Sequence, residues 1–189
     1  MTRAYGRHEP ERADGTGTIG AELQDTVAAM GAEFDHVAVA APRLRDLVAL
    51  YEGVLGGVGV VGGDHRETGF RAVQVQFGAG LVELLEPLAG SSFLDSFFAR
   101  YPQGGLHHVT FRVPSIERAL EIVRAAGLEV HGLSRVGAVQ SEFFLHPKAT
   151  HGVLVQIIEK GPDYPPTGVV SSAAILAGRG MDGNGLPST

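Results

Sequence analysis

FDHVAVAAPRLRDLVALYEGVLGG (residues 34–57) and LHHVTFRVPSIERALEIVRAAGLE (residues 106–129) are one pattern written twice, 72 positions apart. His36 falls on His108, Val37 on Val109 and Pro42 on Pro114. Further along, LVELLE (81–86) falls on LVQIIE (154–159) at an offset of 73, so register is kept within one residue over the whole length of both copies. Self-similarity at a fixed period marks a supersecondary unit that buries its apolar face against its own copy.

Each copy opens with a strand of alternating character (34–41, then 106–113) and reaches a Pro just before a helix, where a missing N–H costs nothing. Leu44, Leu47, Val48, Tyr51 and Leu55 recur at helical spacing before Gly56, as do Ile116, Leu120 and Val123 before Gly127. Three strand candidates then follow each helix: VGVV, FRAVQVQF and GLVELLEP in the first copy, LEVHG, SEFFL and GVLVQIIE in the second. The expected class is α+β, two βαβββ modules (33–87 and 105–160) making a domain over 33–160. SSFLDSFFARYP (91–102) reads as a linking helix whose Phe93, Leu94, Phe97 and Phe98 pack against one module. One module buries too little surface to stand alone, so the two should share a sheet.

The 189 residues carry a formal net charge of −6 and no basic run, which argues against a nucleic-acid partner. Without Cys there is no disulfide framework and no thiolate metal site. No segment has the length or apolarity of a signal peptide or membrane span, and a cytoplasmic homodimer with no membrane partner is the expectation. Residues 1–32, with one weakly helical piece, AELQDTVAAM, and residues 161–189 read as flexible arms.

Side chains alternate across a strand, so Val37 and Val39 should face the helix while His36, Ala38 and Ala40 face the other way. The same rule sets His108, Thr110 and Arg112 opposite Val109, Phe111 and Val113, and puts Glu83 and Gln156 on the face of the two histidines. His36, Glu83, His108 and Gln156 thus hold paired positions on one face of a duplicated sheet. Two imidazoles, a carboxylate and an amide oxygen suit one divalent ion with open positions, the donor set being open to Co, Mn, Ni, Zn, Mg or Fe. His107 should face away from the ion by alternation, and Asp35 and Glu159 read as structural.

FDHVAVA, LYEGVLGG, LVELLEP, GLHHVTFRV and FFLHPKATHGVLVQIIE together resemble the vicinal oxygen chelate superfamily, which includes glyoxalase I and bleomycin-resistance proteins, and are closest to its methylmalonyl-CoA epimerase branch. The resemblance spans residues 34–159 and implies modules curled around a divalent metal whose ligands come from the first and last strand of each. It also implies proton abstraction beside a carbonyl, the enolate stabilised on the metal, with a methylmalonyl thioester of coenzyme A or a related acyl compound as substrate. In such enzymes the final-strand ligand is commonly a Glu that doubles as base, and this chain has Gln156, whose amide cannot take up a proton at neutral pH. A second family glutamate can sit on the third strand, where this chain offers Ala72, Gln74 and Gln76.

Glu83 is therefore the first substitute base and Glu142 the second, with Gln74, Gln76, Thr110 and Lys148 as substrate-binding candidates. Thr150 beside Lys148 is a further contact for an anion, and Arg66, Arg71 and Arg135 could steer a coenzyme A phosphate. Three other functions suit the same fold: a glyoxalase-type lyase, an extradiol-type dioxygenase using His36, His108 and Glu83 on iron, and a drug-binding resistance protein that performs no chemistry.

Overall fold

A computed structural model describes residues 30–136, 139–164, 171–178 and 181–182. The first module consists of β1 (Glu33–Ala40), α1 (Leu44–Val48, continued by a wider π turn over Ala49–Val54), β2 (Val58–His65), β3 (Phe70–Phe77) and β4 (Gly80–Pro87). A linking helix, α2 (Asp95–Arg100), leads to β5 (Gly105–Arg112), α3 (Ile116–Ala125), β6 (Val130–Val136), β7 (Gln140–Leu145) and β8 (Val155–Lys160). The βαβββ unit read from the repeat is present twice.

All strands join one curled mixed sheet in the order β6-β7-β8-β5-β1-β4-β3-β2, with a short β9 (Met181–Asp182) added beside β2. Within each module the first and last strands run parallel, β1 beside β4 and β5 beside β8. β1 and β5 pair antiparallel at the centre, so the two modules close on each other within one chain. The centre of the half-barrel therefore holds the four strands that carry the histidines, Glu83 and Gln156.

Helices cover the outer face. Leu44 packs with Val73, Val75 and Leu84 under α1, while Ile116, Leu120 and Val123 of α3 pack with Phe143 and Ile157. Side chains at i, i+4 and i+7 of α3 meet the sheet as helical spacing requires. On the inner face α2 closes one end, where Leu94, Phe97 and Phe98 meet Ala38, Ala40, Ala72 and Leu85. Small residues on β1 leave room for these aromatic rings.

Gly56 at φ +76° and Gly127 at φ +73° end α1 and α3 in the left-handed conformation that glycine adopts most cheaply. The regular spacing read through Leu55 does not hold: the i→i+5 bond from Leu55 N–H to Leu50 C=O widens the turn and leaves Leu55 57% exposed. Two expectations about the ends also change. Met30 packs against the α3 cluster, whereas the composition of residues 1–32 predicts a flexible arm; the rest of that segment up to residue 29, with most of AELQDTVAAM, lies outside the described residues. In the segment assigned to a flexible tail, α4 (Ser172–Leu176) buries Ile175 completely among Leu44, Val73, Val75 and Leu84. Among the described residues no helix is long and apolar enough to cross a membrane.

Candidate metal centre

His36 on β1, Glu83 on β4 and His108 on β5 each point one ligand atom into a common space, all three atoms lying within 4.8 Å of one another. Glu83 Oε2 stands 3.8 Å from His36 Nε2 and 3.6 Å from His108 Nε2. Donors sharing one ion at roughly 2.0–2.2 Å stand about 3–4 Å apart, so these separations fit a single divalent ion. Among the described residues His108 Nε2 is buried without a hydrogen-bond partner, a costly state that an ion at this point relieves. The chemistry of the donors and this orphaned nitrogen both fit a divalent metal.

Gln156 meets the cluster through Thr110. The Thr110 hydroxyl donates to Gln156 Oε1 at 2.7 Å and stands 3.0 Å from His36 Nε2. Gln156 Nε2 in turn donates to Glu142 Oε2 at 2.7 Å, and Gln140 Nε2 donates to the same oxygen at 2.8 Å. A continuous chain of polar contacts thus crosses β1, β5, β8 and β7, and it brings Glu142 to the site. Thr110, expected to hold substrate, is wholly buried and engaged by protein on both sides.

Two β-bulges set the surroundings of the histidines. Pairing between β1 and β5 slips between Phe34 and His36, and again between Ala38 and Val39, where His108 and Leu106 are the partners. Asp35 and His107 are the extra residues. A bulge suspends the strict alternation of side chains, and both extra residues turn back to the following histidine. Asp35 Oδ1 contacts His36 Nδ1 at 2.8 Å, while its other oxygen accepts from Lys160 Nζ at 2.7 Å. His107 Nδ1 contacts His108 Nδ1 at 2.8 Å, which corrects the expectation that His107 faces away.

The matched histidines consequently differ. Burial works to lower the pKa of His36, but Asp35 and Glu83 outweigh it and raise it to about 9. Burial dominates at His108, which has another imidazole where His36 has a carboxylate, and lowers it to about 4. For Glu83 burial works upward, yet contact with His36 and the charges of His36, His108 and His65 hold it at about 2. Glu142 moves the other way: burial, the largest influence, raises its pKa against the opposing bonds from Gln140 and Gln156.

On the first-module side Gln74 pairs with Glu83 across β3 and β4, and its Oε1 accepts from the Tyr164 hydroxyl at 3.1 Å. The Tyr164 ring lies under Lys160 Nζ at 4.5 Å, and burial, with Glu83 and Asp35 nearby, pushes its pKa up to about 12. Tyr164 and Lys160 carried no signal in the repeat, because Tyr164 lies beyond it and Lys160 has no matched polar partner. Asp35 and His107 were legible as residues preceding each histidine, although alternation alone turns His107 away from the site.

Other candidates lie elsewhere. Gln76 is half-buried and spends its amide on the Gly78 and Gly80 carbonyls, bracing a turn. Lys148 is exposed and lines a separate surface cavity with Glu129, His131, His146 and Ala149, and the Thr150 hydroxyl bonds its own turn. Arg71 is held by Asp64 and Glu86, Arg135 by Glu117, and Arg66 lies 3.6 Å from Asp64.

Residues 35–144 match the Glyoxalase/Bleomycin resistance protein/Dioxygenase superfamily. The chain is similar to a mitochondrial methylmalonyl-CoA epimerase of Dictyostelium discoideum, 31% identical over 144 residues that cover 75% of this chain and 87% of the relative. It is also similar to an ethylmalonyl-CoA/methylmalonyl-CoA epimerase of Cereibacter sphaeroides, 32% identical over 126 residues, 65% of this chain and 94% of the relative. Among solved structures, methylmalonyl-CoA epimerase from Mycobacterium tuberculosis superposes with a TM-score of 0.63 at 25% identity, covering 71% of this chain and 91% of that one.

Proposed function

The chain belongs to the Glyoxalase/Bleomycin resistance protein/Dioxygenase superfamily, and on that premise we propose that it is a metal-dependent epimerase that removes and returns the proton beside the carbonyl of a coenzyme A thioester. Methylmalonyl-CoA, named in the relatives, is the first substrate to test. His36, Glu83 and His108, with Gln156 beside them, would hold the ion. When bound, a divalent ion supplies the Lewis acidity that a weakly acidic thioester α-proton requires, by stabilising the charge that develops on the carbonyl oxygen.

The observation that carries this reading is Glu142. Gln156 stands where the family base is expected, but its amide donates directly to a half-buried carboxylate on the neighbouring strand. The carboxylate is displaced by one strand and the amide keeps it in place. Between the two candidate bases, Glu83 is held at about 2 and is suited to ligation, whereas burial raises the pKa of Glu142 and makes it the stronger base. Proton abstraction therefore belongs to Glu142, and Glu83 is a ligand.

Inversion needs a proton carrier on the other face of the substrate carbon. β3 and β7 occupy corresponding places on the two sides of the central β1 and β5 pair, and on the β3 side the Tyr164 hydroxyl rests on Gln74. In one direction Glu142 takes the α-proton as the C–H bond breaks, and Tyr164 O–H gives its proton to the opposite face. In the other direction the Tyr164 phenolate and the Glu142 carboxylic acid left by the first step run the same two transfers in reverse.

Deuterium uptake from heavy water into methylmalonyl-CoA, followed beside bound metal, tests the assignment. Glu142→Gln should slow exchange by about 10²–10⁴-fold with metal retained, while Glu83→Gln should lower metal content. Tyr164→Phe should leave exchange on one epimer but suppress inversion. Undiminished exchange in Glu142→Gln would remove Glu142 as the base, and metal-loaded protein that exchanges no deuterium would exclude this substrate.

A further inference from the structure

We propose that His107 is a positioning residue for the metal centre: it accepts the Nδ1 proton of His108 and so fixes the tautomer that leaves His108 Nε2 free to bind an ion. The two Nδ1 atoms lie 2.8 Å apart. A hydrogen bond between two neutral rings at that distance needs a proton on one of them and a lone pair on the other. If His107 were the donor, the proton of His108 would sit on Nε2, the buried atom that faces Glu83 and has no hydrogen-bond partner among the described residues. That tautomer could not ligate. With His108 as the donor, Nε2 carries the lone pair and the orphaned atom becomes the third corner of the cluster.

The duplication gives this arrangement its meaning. His107 and Asp35 are matched positions, each the extra residue of a bulge, and each contacts Nδ1 of the histidine that follows. Asp35 is pinned by Lys160, and His107 is held edge-on by the Phe97 ring of the linking helix, with centroids 5.0 Å apart. A carboxylate acceptor makes an imidazole a stronger donor to metal than a neutral acceptor does. The centre is therefore built from one strong imidazole ligand, His36, and one weaker ligand, His108, the asymmetry being set by the residue before each.

The inference rests on the metal centre but is separable from it, because the tautomer can be read without metal. Long-range ¹H–¹⁵N correlation spectra of the metal-free protein should show His108 protonated on Nδ1 and His107 protonated on Nε2; the reverse pattern overturns the proposal. Titration with cobalt(II), followed by its visible absorbance, provides the second arm. His107→Phe should weaken binding by about 10- to 100-fold, His107→Gln should recover most of it through its amide oxygen, and His107→Asp should bind more tightly than the parent. Undiminished cobalt binding in His107→Phe, with thermal melting unchanged, would show that the ring matters as filler rather than as acceptor. A parent protein that takes up no cobalt would overturn the metal centre itself, while the spectra still decide the tautomer.

Discussion

At the scale of single residues the consequence of the bulges is chemical. His36 is flanked by Asp35, Glu83 and Thr110, with the His108 ring 5.8 Å away, and it keeps its proton up to about pH 9. An ion can use His36 Nε2 only after that proton leaves. Apparent metal affinity should therefore rise roughly tenfold per pH unit through neutral pH and level off above about 9. At pH 7 about one proton should be released per ion, since His108, lowered to about 4, is already neutral. Calorimetric titration in buffers of different ionisation enthalpy measures the number directly, and binding without proton release would show that His36 is not a ligand. The positions of His36 and His108 were legible in the sequence because the repeat marks them. Their difference was not, because it arises from bulges, and a bulge has no signature in an alternating pattern.

At the scale of elements, the opening strand pair and the closing strand pair explain why the repeat survives where the chemistry differs. The last residue of LVELLE, Glu86, accepts from the first amide of α1, Leu44 N, at 2.7 Å; the last residue of LVQIIE, Glu159, accepts from Ile116 N of α3, also at 2.7 Å. A carboxylate at a helix N-terminus satisfies a free donor and complements the helix dipole. Each module thus ties its helix to its final strand, the strand that delivers Glu83 or Gln156. The two caps are not equal in weight. Ser115 supplies α3 with a second cap at Arg118 N, whereas Arg43 caps nothing with its side chain and Glu86 also receives Arg71. Glu86→Ala should therefore cost about 2–3 kcal/mol and Glu159→Ala nearer 1 kcal/mol in denaturant unfolding; equal losses would contradict the difference in capping. Periodicity made both helices and nearly all the strand positions readable, including β3 and β4 to the residue. It could not show the π turn that exposes Leu55, because a single widened turn keeps the same composition as a regular one.

At the scale of the whole molecule, the duplicated domain does not close on its own residues alone. α4 lies outside the repeat, and its Ile175 fills a place on the outer face between α1 and the sheet, beside Leu44, Val73, Val75 and Leu84. The strand it covers is unusually poor in side chains. A Cβ at Gly59 would run into Ser172 and Glu52, and one at Gly62 would run into the Ala72 carbonyl of β3 as well as Ile175, so β2 is kept bare where α4 docks. Ser172 also hydrogen-bonds Glu52, which ties α4 to the π turn of α1. The glycines of VGVVGGDH were visible in the sequence, but what they accommodate was not, since the partner is more than a hundred residues away in a segment with no apolar periodicity of its own. If α4 is part of the core, Ile175→Ala removes a fully buried side chain and should cost about 2–5 kcal/mol. Gly59→Ala should lose stability as well, by displacing Ser172 rather than by opening a cavity. The two changes act on one docking contact, so their effects in the double variant should fall short of the sum. Full additivity in denaturant unfolding would mean that α4 and β2 are not coupled, and an Ile175→Ala protein as stable as the parent would return residues 172–176 to the status of a tail.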